Sequence, residues 1–207
     1  MARAPFISLD GLDGSGKSTQ CRLLAEWLRE RGYAVMECAD PGGTAVGDVI
    51  RGLLLDARRQ MSLACEALLF MASRAQLASE IIAPSLAASR AVVADRYLLA
   101  NVVYQGHAGG LDPEELWRIG RFATGGLEPD LTLVLDLPPG TAESRRRHPA
   151  DRVESRGYDF HERVRFGFLA EAKRRPESIR VIDASQSPEA VHEHSVREVA
   201  ALLERLR

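Results

Sequence analysis

Cysteine is scarce in this chain. Of 207 residues only Cys21, Cys38 and Cys65 are cysteines, and none sits in a C-x-x-C pair. An odd number without paired spacing argues against a disulfide framework, reads as small core residues, and points to a reducing compartment. Charge of one sign is also lacking. Lys and Arg number 27 against 29 Asp and Glu, so the net charge of −2 gives no overall basic footprint for nucleic acid. No apolar run approaches the ~20 residues that a membrane span needs. Met1-Ala-Arg-Ala-Pro leads straight into an apolar run, which leaves no room for a signal peptide. A cytoplasmic protein is expected. With 45% hydrophobic and 27% charged residues, no internal repeat and no low-complexity linker, residues 1–207 are expected to form a single domain.

What is present is glycine, concentrated where it serves a ligand. "SLDGLDGSGKST" (8–19) follows the apolar run Phe6-Ile7-Ser8-Leu9 and precedes a stretch of helix formers from Gln20 to Leu28. Gly11, Gly16, Lys17 and Ser18 match G-x-x-x-x-G-K-[ST], in the strand–loop–helix order that a phosphate-binding loop requires. Such a loop turns backbone N–H groups toward an anion, and the helix N-terminus adds partial positive charge. Lys17 is placed to reach the β/γ-phosphates of a nucleoside triphosphate, and the Ser18 hydroxyl to ligate Mg²⁺.

Further strands are expected at 34–38, 91–95, 131–136 and 179–183. Helices are expected around 49–55 and from Ser62 to about 84–89. Another starts at Asp112, with Pro113 in its first position and Glu115 placed to complete a capping box, and "SPEAV" (187–191) opens the last. Strands alternating with helices predict an α/β fold, a parallel sheet covered on both faces. No [NT]-K-x-D guanine-reading motif occurs, which argues against a GTPase switch.

Several fragments, in order and nearly over the whole length, resemble bacterial thymidylate kinases: "LDGLDGSGKST", "DPGGTAVGDVIRGLLL", "LLFMASRAQ", "DRYLLANVVYQG", "EPDLTLVLDL", "DRVESRGYDFHERVRFGF" and "VIDAS". The resemblance implies a P-loop nucleoside monophosphate kinase fold with five parallel strands and a short lid, about 143–156. It implies transfer of a phosphoryl group from ATP with Mg²⁺ to dTMP, giving dTDP, and a homodimer. ATP is then held by Gly11, Leu12, Asp13, Gly14, Ser15, Gly16, Lys17, Ser18 and Thr19, with Arg145 and "DAS" (183–185) beside adenine. Arg51 and Arg96 hold the monophosphate, with Asp40 and Pro41 alongside; Ser18 and Asp95 face the metal. Phe70 stacks thymine and Arg74 hydrogen-bonds it, with Asn101 and Gln105 as further base contacts. Tyr104 packs against the 2′ edge of the sugar, and Asp13 meets the 3′-hydroxyl.

Elementary chemistry agrees with a monophosphate acceptor. A phosphate monoester with a second pKa near ~6 is already a dianion, so the problem is charge rather than proton abstraction. Cations are available at Lys17, Arg51, Arg74, Arg96, Arg145, Arg146, Arg147 and Arg152. Arg96 directly follows a predicted strand end, where open α/β sheets gather ligands. Phe70 and Arg74 share one helix face; on spacing alone Arg74 equally suits a pairing with an acid. Because Gly14 stands where some relatives carry a catalytic arginine, a lid arginine is expected to supply that charge, Arg152 first and Arg147 second. The family's usual Arg-Glu before Pro-Gly-Gly-Thr is Ala39-Asp40 here, and a common serine is Ala100. These departures leave open a kinase for another monophosphate, or a domain that binds nucleotide without turnover.

Overall fold

The five apolar runs all form strands: β1 (Phe6–Gly11), β2 (Val35–Ala39), β3 (Ala91–Asp95), β4 (Leu131–Asp136) and β5 (Ile179–Asp183). They pair in parallel in the order β2-β3-β1-β4-β5. The computed structural model describes residues 3–146 and 151–207. The central strands β1, β3 and β4 are buried along nearly their whole length, while the edge strands β2 and β5 are partly exposed. That is why the former read as unbroken apolar runs: helices cover both of their faces. The buried hydroxyls of Ser8 and Thr132, in register on β1 and β4, satisfy each other at 2.8 Å.

β1 runs beyond its apolar residues. Asp10 and Gly11 stay in register with Val134 and Leu135, so pairing with β4 carries the strand into the glycine loop. The helices are α1 (Lys17–Glu30), α2 (Ala45–Leu55), α3 (Leu63–Leu77), α4 (Ala83–Ala87), α5 (Leu98–Asn101), α6 (Pro113–Ala123), α7 (Pro139–Ser144), α8 (Tyr158–Arg174) and α9 (Pro188–Arg205). A wide π-turn (Ala78–Ile82) joins α3 to α4. It relieves the clash that Pro84 would make with the carbonyl one turn earlier, so the long helix continues through a proline. Thr44, Ser62, Asp112 and Ser187 cap their helices through side-chain oxygens. At Asp112 the bond goes to the Glu114 N–H, and Glu115 pairs with Arg118, so the expected reciprocal capping box does not form.

A second π-turn (Val102–His107) follows α5 and carries Tyr104 and Gln105. It is fastened by Glu171 of α8, a fully buried carboxylate 2.9 Å from His107 Nε2 and accepting from Trp117 Nε1 at 3.0 Å. Arg174 and Arg175 approach the same carboxylate at 3.3 and 3.5 Å. Burial alone would raise the Glu171 carboxyl, but the bonds from His107 and Trp117 hold it below its ordinary value. Glu171→Leu leaves those buried partners without an acceptor, at a cost of about 2–3 kcal/mol. A melting temperature lowered by about 5–10 °C in thermal denaturation is expected for a chain of this size.

Candidate active site

The phosphate-binding loop is shaped by what its glycines leave out. Gly14 has φ +89°, and a Cβ there would lie 2.1 Å from the Ala142 carbonyl oxygen of α7. Only a residue without a side chain lets the loop lie beneath that helix. The Lys17 ammonium curls back to donate to the carbonyls of Gly11 (3.2 Å) and Leu12 (2.9 Å), and it lies 3.4 Å from Asp13. Around this loop opens a cavity of about 1010 Å³, bordered by the carboxyl ends of β2 and β3, helices α2 and α3, the second π-turn, residues 144–146, Asp151, Val153 and Glu154, and residues 184–191.

Nearly every residue anticipated for a ligand faces this cavity. Its lining includes Asp13, Gly14, Ser15, Gly16, Lys17, Ser18, Thr19 and Arg145, anticipated for the donor, Asp40, Pro41, Arg51, Phe70, Arg74, Asn101, Tyr104 and Gln105, anticipated for the acceptor, and Asp95 and Arg96. Gly11 and Leu12 do not line it, and act through the carbonyls that hold Lys17. Arg145 donates to the carbonyls of Ala184 (2.8 Å) and Ser185 (3.3 Å), which brings the anticipated "DAS" segment to the cavity wall. Arg51 donates to the Pro41 carbonyl at 2.7 Å.

Asp13 and Arg96 form the middle of the site. Arg96 is held at φ +70°, a conformation costly for a residue with a side chain and typical of functional positions. Its Nη2 donates to Asp13 Oδ1 at 2.7 Å and lies 3.3 Å from the Tyr104 hydroxyl, while its Nη1 is buried without a partner among the described residues. Burial would raise the Asp13 carboxyl, yet the charges of Arg96 and Lys17 hold it well below the usual carboxylate range. Burial works against the charged Arg96 as well, but Asp13 keeps it firmly protonated. Tyr104 is buried beneath the guanidinium, 5.1 Å from ring centre to its central carbon, and packs on Phe160 and Phe168. Ser18 Oγ donates to Asp95 Oδ2 at 2.6 Å.

Arg74 does both things that its spacing allowed. It donates to Asp40 Oδ2 at 2.6 Å and to Asn101 Oδ1 at 3.0 Å while bordering the cavity, so the shorter Asp40 still reaches its cation. Arg152 departs from expectation. It does not line the cavity; its Nε donates to the Leu54 carbonyl at 2.8 Å and its Nη1 lies 2.6 Å from the buried carboxylate of Glu66. That dry anion outcompetes solvent for the guanidinium. Arg147 lies outside the described residues. Arg146 borders the cavity beside Arg145; its buried Nε has no hydrogen-bond partner among the described residues and lies 3.9 Å from Glu154. Leu55, Asp151, Val153, Glu154, Gln186 and Pro188 also line the cavity. Leu55, Asp151, Val153 and Glu154 lie within the stretches that carry the family resemblance, but nothing in their type or spacing marks any of the six as a lining residue.

No group of three or more His, Cys, Asp or Glu suited to a metal occurs among the described residues. Magnesium does not require one, since it binds through one or two protein oxygens, waters and substrate phosphates. Ser18 and Asp95 fit that donor set.

The family model described as thymidylate kinase matches residues 9–194. The thymidylate kinase of Symbiobacterium thermophilum is 46% identical over 202 residues, 97% of this chain and 94% of the relative. That of Kosmotoga olearia is 43% identical over 97% of this chain and 98% of its own. The crystal structure of thymidylate kinase from Ehrlichia chaffeensis superposes with a TM-score of 0.78 at 30% identity, covering 95% of this chain and 98% of that one.

Behind the loop lies Asp10, whose two carboxylate oxygens are buried without hydrogen-bond partners among the described residues. Burial pushes its carboxyl up to about 7, against the pull of Arg96 and Lys17. Between its ordinary value and about 7, the folded chain keeps a proton that the unfolded chain releases, so this group makes stability fall as pH rises through that window. Asp10→Asn removes the dependence. Without ligands, its melting temperature relative to the parent is expected to climb from pH 4 to pH 7 and level off above; a difference flat with pH contradicts the assignment.

Proposed function

The chain belongs to the thymidylate kinase family and is a phosphotransferase that phosphorylates dTMP; on that premise we propose how its residues divide the work. The donor is ATP, held by the loop from Gly11 to Thr19, with Arg145 and the 184–186 segment beside the adenine. Lys17 neutralises the β/γ-phosphates. Mg²⁺ is held through Ser18 Oγ and Asp95, and when bound it neutralises charge on the donor phosphates. The acceptor phosphate sits between Arg51 and Arg96, whose buried Nη1 is free to donate to it. Phe70 stacks thymine, Arg74, Asn101 and Gln105 read its polar edge, and Tyr104 closes off the 2′ side of the sugar. Asp13, kept ionised, accepts from the 3′-hydroxyl.

One observation carries this division. A single carboxylate, Asp13, bonds Arg96 at 2.7 Å and Lys17 at 3.4 Å, fixing a cation for the acceptor and a cation for the donor within one ion-pair cluster. Two polyanions repel, and what a catalyst of this reaction must supply is fixed positive charge at both ends of an in-line transfer. The acceptor dianion attacks without a general base.

The charge on the transferring group comes from the lid. Gly14 admits no side chain beneath Ala142; of the two arginines 145 and 146 at the cavity, Arg145 is engaged by the carbonyls of Ala184 and Ser185, while Arg146 Nε is unpaired among the described residues. Residues 1–207 act as one kinase domain with the lid near 143–156, in the cytoplasm. Among the described residues no helix is long and apolar enough to cross a membrane. A homodimer through packed helices is supported by exposed Val46 and Val49 on α2 and Leu68 on the adjoining α3.

The test is a coupled ADP-release assay over a panel of nucleoside monophosphates, in which dTMP is expected to be strongly preferred. Arg74→Leu should raise the KM for dTMP about tenfold or more, as a base-reading donor is lost, and leave ATP saturation nearly unchanged. An altered ATP KM with unchanged dTMP use moves Arg74 out of the acceptor site. Arg146→Ala should lower kcat more than tenfold with little change in the dTMP KM, since its contact belongs to the transferring group. A larger loss in Arg152→Ala than in Arg146→Ala returns that role to Arg152.

A further inference from the structure

Glu66, on α3, is 1% exposed and has no part in the chemistry described so far. Its two carboxylate oxygens are divided between two regions of the protein. Oε1 accepts from Gln105 Nε2 at 2.6 Å. Oε2 meets Arg152 Nη1 at 2.6 Å and also bonds Arg156 Nη2, both from the segment between Asp151 and α8. Arg152 is tied further, through its Nε, to the last carbonyl-bearing turn of α2 at Leu54.

From Gln105 the connection runs inward. Asn101 Nδ2 donates to Gln105 Oε1 at 2.8 Å, and Arg74 Nη1 donates to Asn101 Oδ1 at 3.0 Å. A guanidinium only donates and a carboxylate only accepts. Both amides between them must therefore face the same way, each presenting oxygen toward Arg74 and nitrogen toward Glu66. The result is one buried, directionally ordered chain from Arg74 to Glu66, with lid arginines at its far end. In such surroundings each bond polarises the next, and moving any member disturbs its neighbours.

We propose that Glu66 is a positioning residue that joins the nucleobase site to the lid, holding Gln105 with one oxygen and Arg152 and Arg156 with the other. This rests on the assignment of Arg74, Asn101 and Gln105 to the base. A base that draws on the Asn101 and Gln105 amides changes the bond from Gln105 to Glu66, and the same carboxylate fixes Arg152 and Arg156 on either side of Val153 and Glu154, which line the cavity. Coupling of this kind is reciprocal: the base then tightens donor binding by the same factor as the donor tightens dTMP.

The test measures dissociation constants by calorimetry for dTMP and for a non-hydrolysable ATP analogue with Mg²⁺, each alone and in the presence of the other. In the parent chain each ligand should tighten the other by roughly fivefold or more. In Glu66→Gln, which keeps the shape and an acceptor for Gln105 but removes the charge that holds both arginines, the factor should fall below about twofold, with each ligand alone bound nearly as before. Arg156→Gln, on the more exposed side of the tie, should reduce the coupling in the same direction and serves if Glu66→Gln does not fold. Retained coupling in the variants overturns the proposal, as does its absence in the parent. Deoxyribose 5-phosphate, which lacks the base, should produce little tightening. If it tightens the analogue as well as dTMP does, coupling runs through the phosphate and the proposal fails while the acceptor assignment stands. If dTMP does not bind the parent chain at all, the acceptor assignment itself fails.

Discussion

One ion-pair cluster organises this molecule. Asp13 stands in the loop after β1, and Arg96 just past the end of β3, the neighbouring strand. Their bond therefore crosses the seam between the central strand and one flank of the sheet. The order β2-β3-β1 makes this meeting possible, because the Arg96 N–H also donates to the Leu9 carbonyl of β1 at 2.9 Å. A left-handed backbone at Arg96 turns its side chain toward the loop rather than along the strand. The conformational cost of that turn, about 1–3 kcal/mol, is offset by charge-assisted bonds in a partly dry setting. Lys17, Tyr104 and the surroundings of Asp10 all take their electrostatic character from this cluster.

Carboxylates play the same part elsewhere. Asp40 fixes Arg74, Glu171 fixes the turn that carries Tyr104 and Gln105, and Asp136 holds Arg165 through two bonds of 2.7 and 2.8 Å. A cavity that must receive polyanions needs cations held in place before the ligands arrive. Free arginines lose several rotatable bonds on being ordered, and a buried carboxylate removes that loss in advance. The acids near the site thus serve geometry as much as charge balance.

The parts of the fold legible in the sequence were those dictated by local pattern. Strand positions follow from apolar runs, the central three sealed on both faces, and the phosphate loop from a glycine spacing that marks its backbone path. Gly14 was legible only as a departure from relatives that carry an arginine there; its steric meaning, the contact with Ala142, needed the fold. What local pattern does not hold is the destination of a long charged side chain. Nothing near Arg152 says that a dry carboxylate on α3, far away in sequence, claims it, and nothing near Arg146 says that its Nε will be left without a partner. The π-turns were equally hidden, since they depend on Pro84 in one case and on packing around Glu171 in the other.

The contact between Gly14 and Ala142 has a consequence for how such a protein changes over time. An arginine introduced at position 14 gains nothing until α7 has moved away, and moving α7 first removes a wall of the donor site without compensation. The two positions are therefore bound together, and single substitutions pass through a disadvantaged intermediate. While helix 139–144 lies over the glycine loop, a cation at position 14 is closed to the chain, and any that serves there has to reach in from elsewhere.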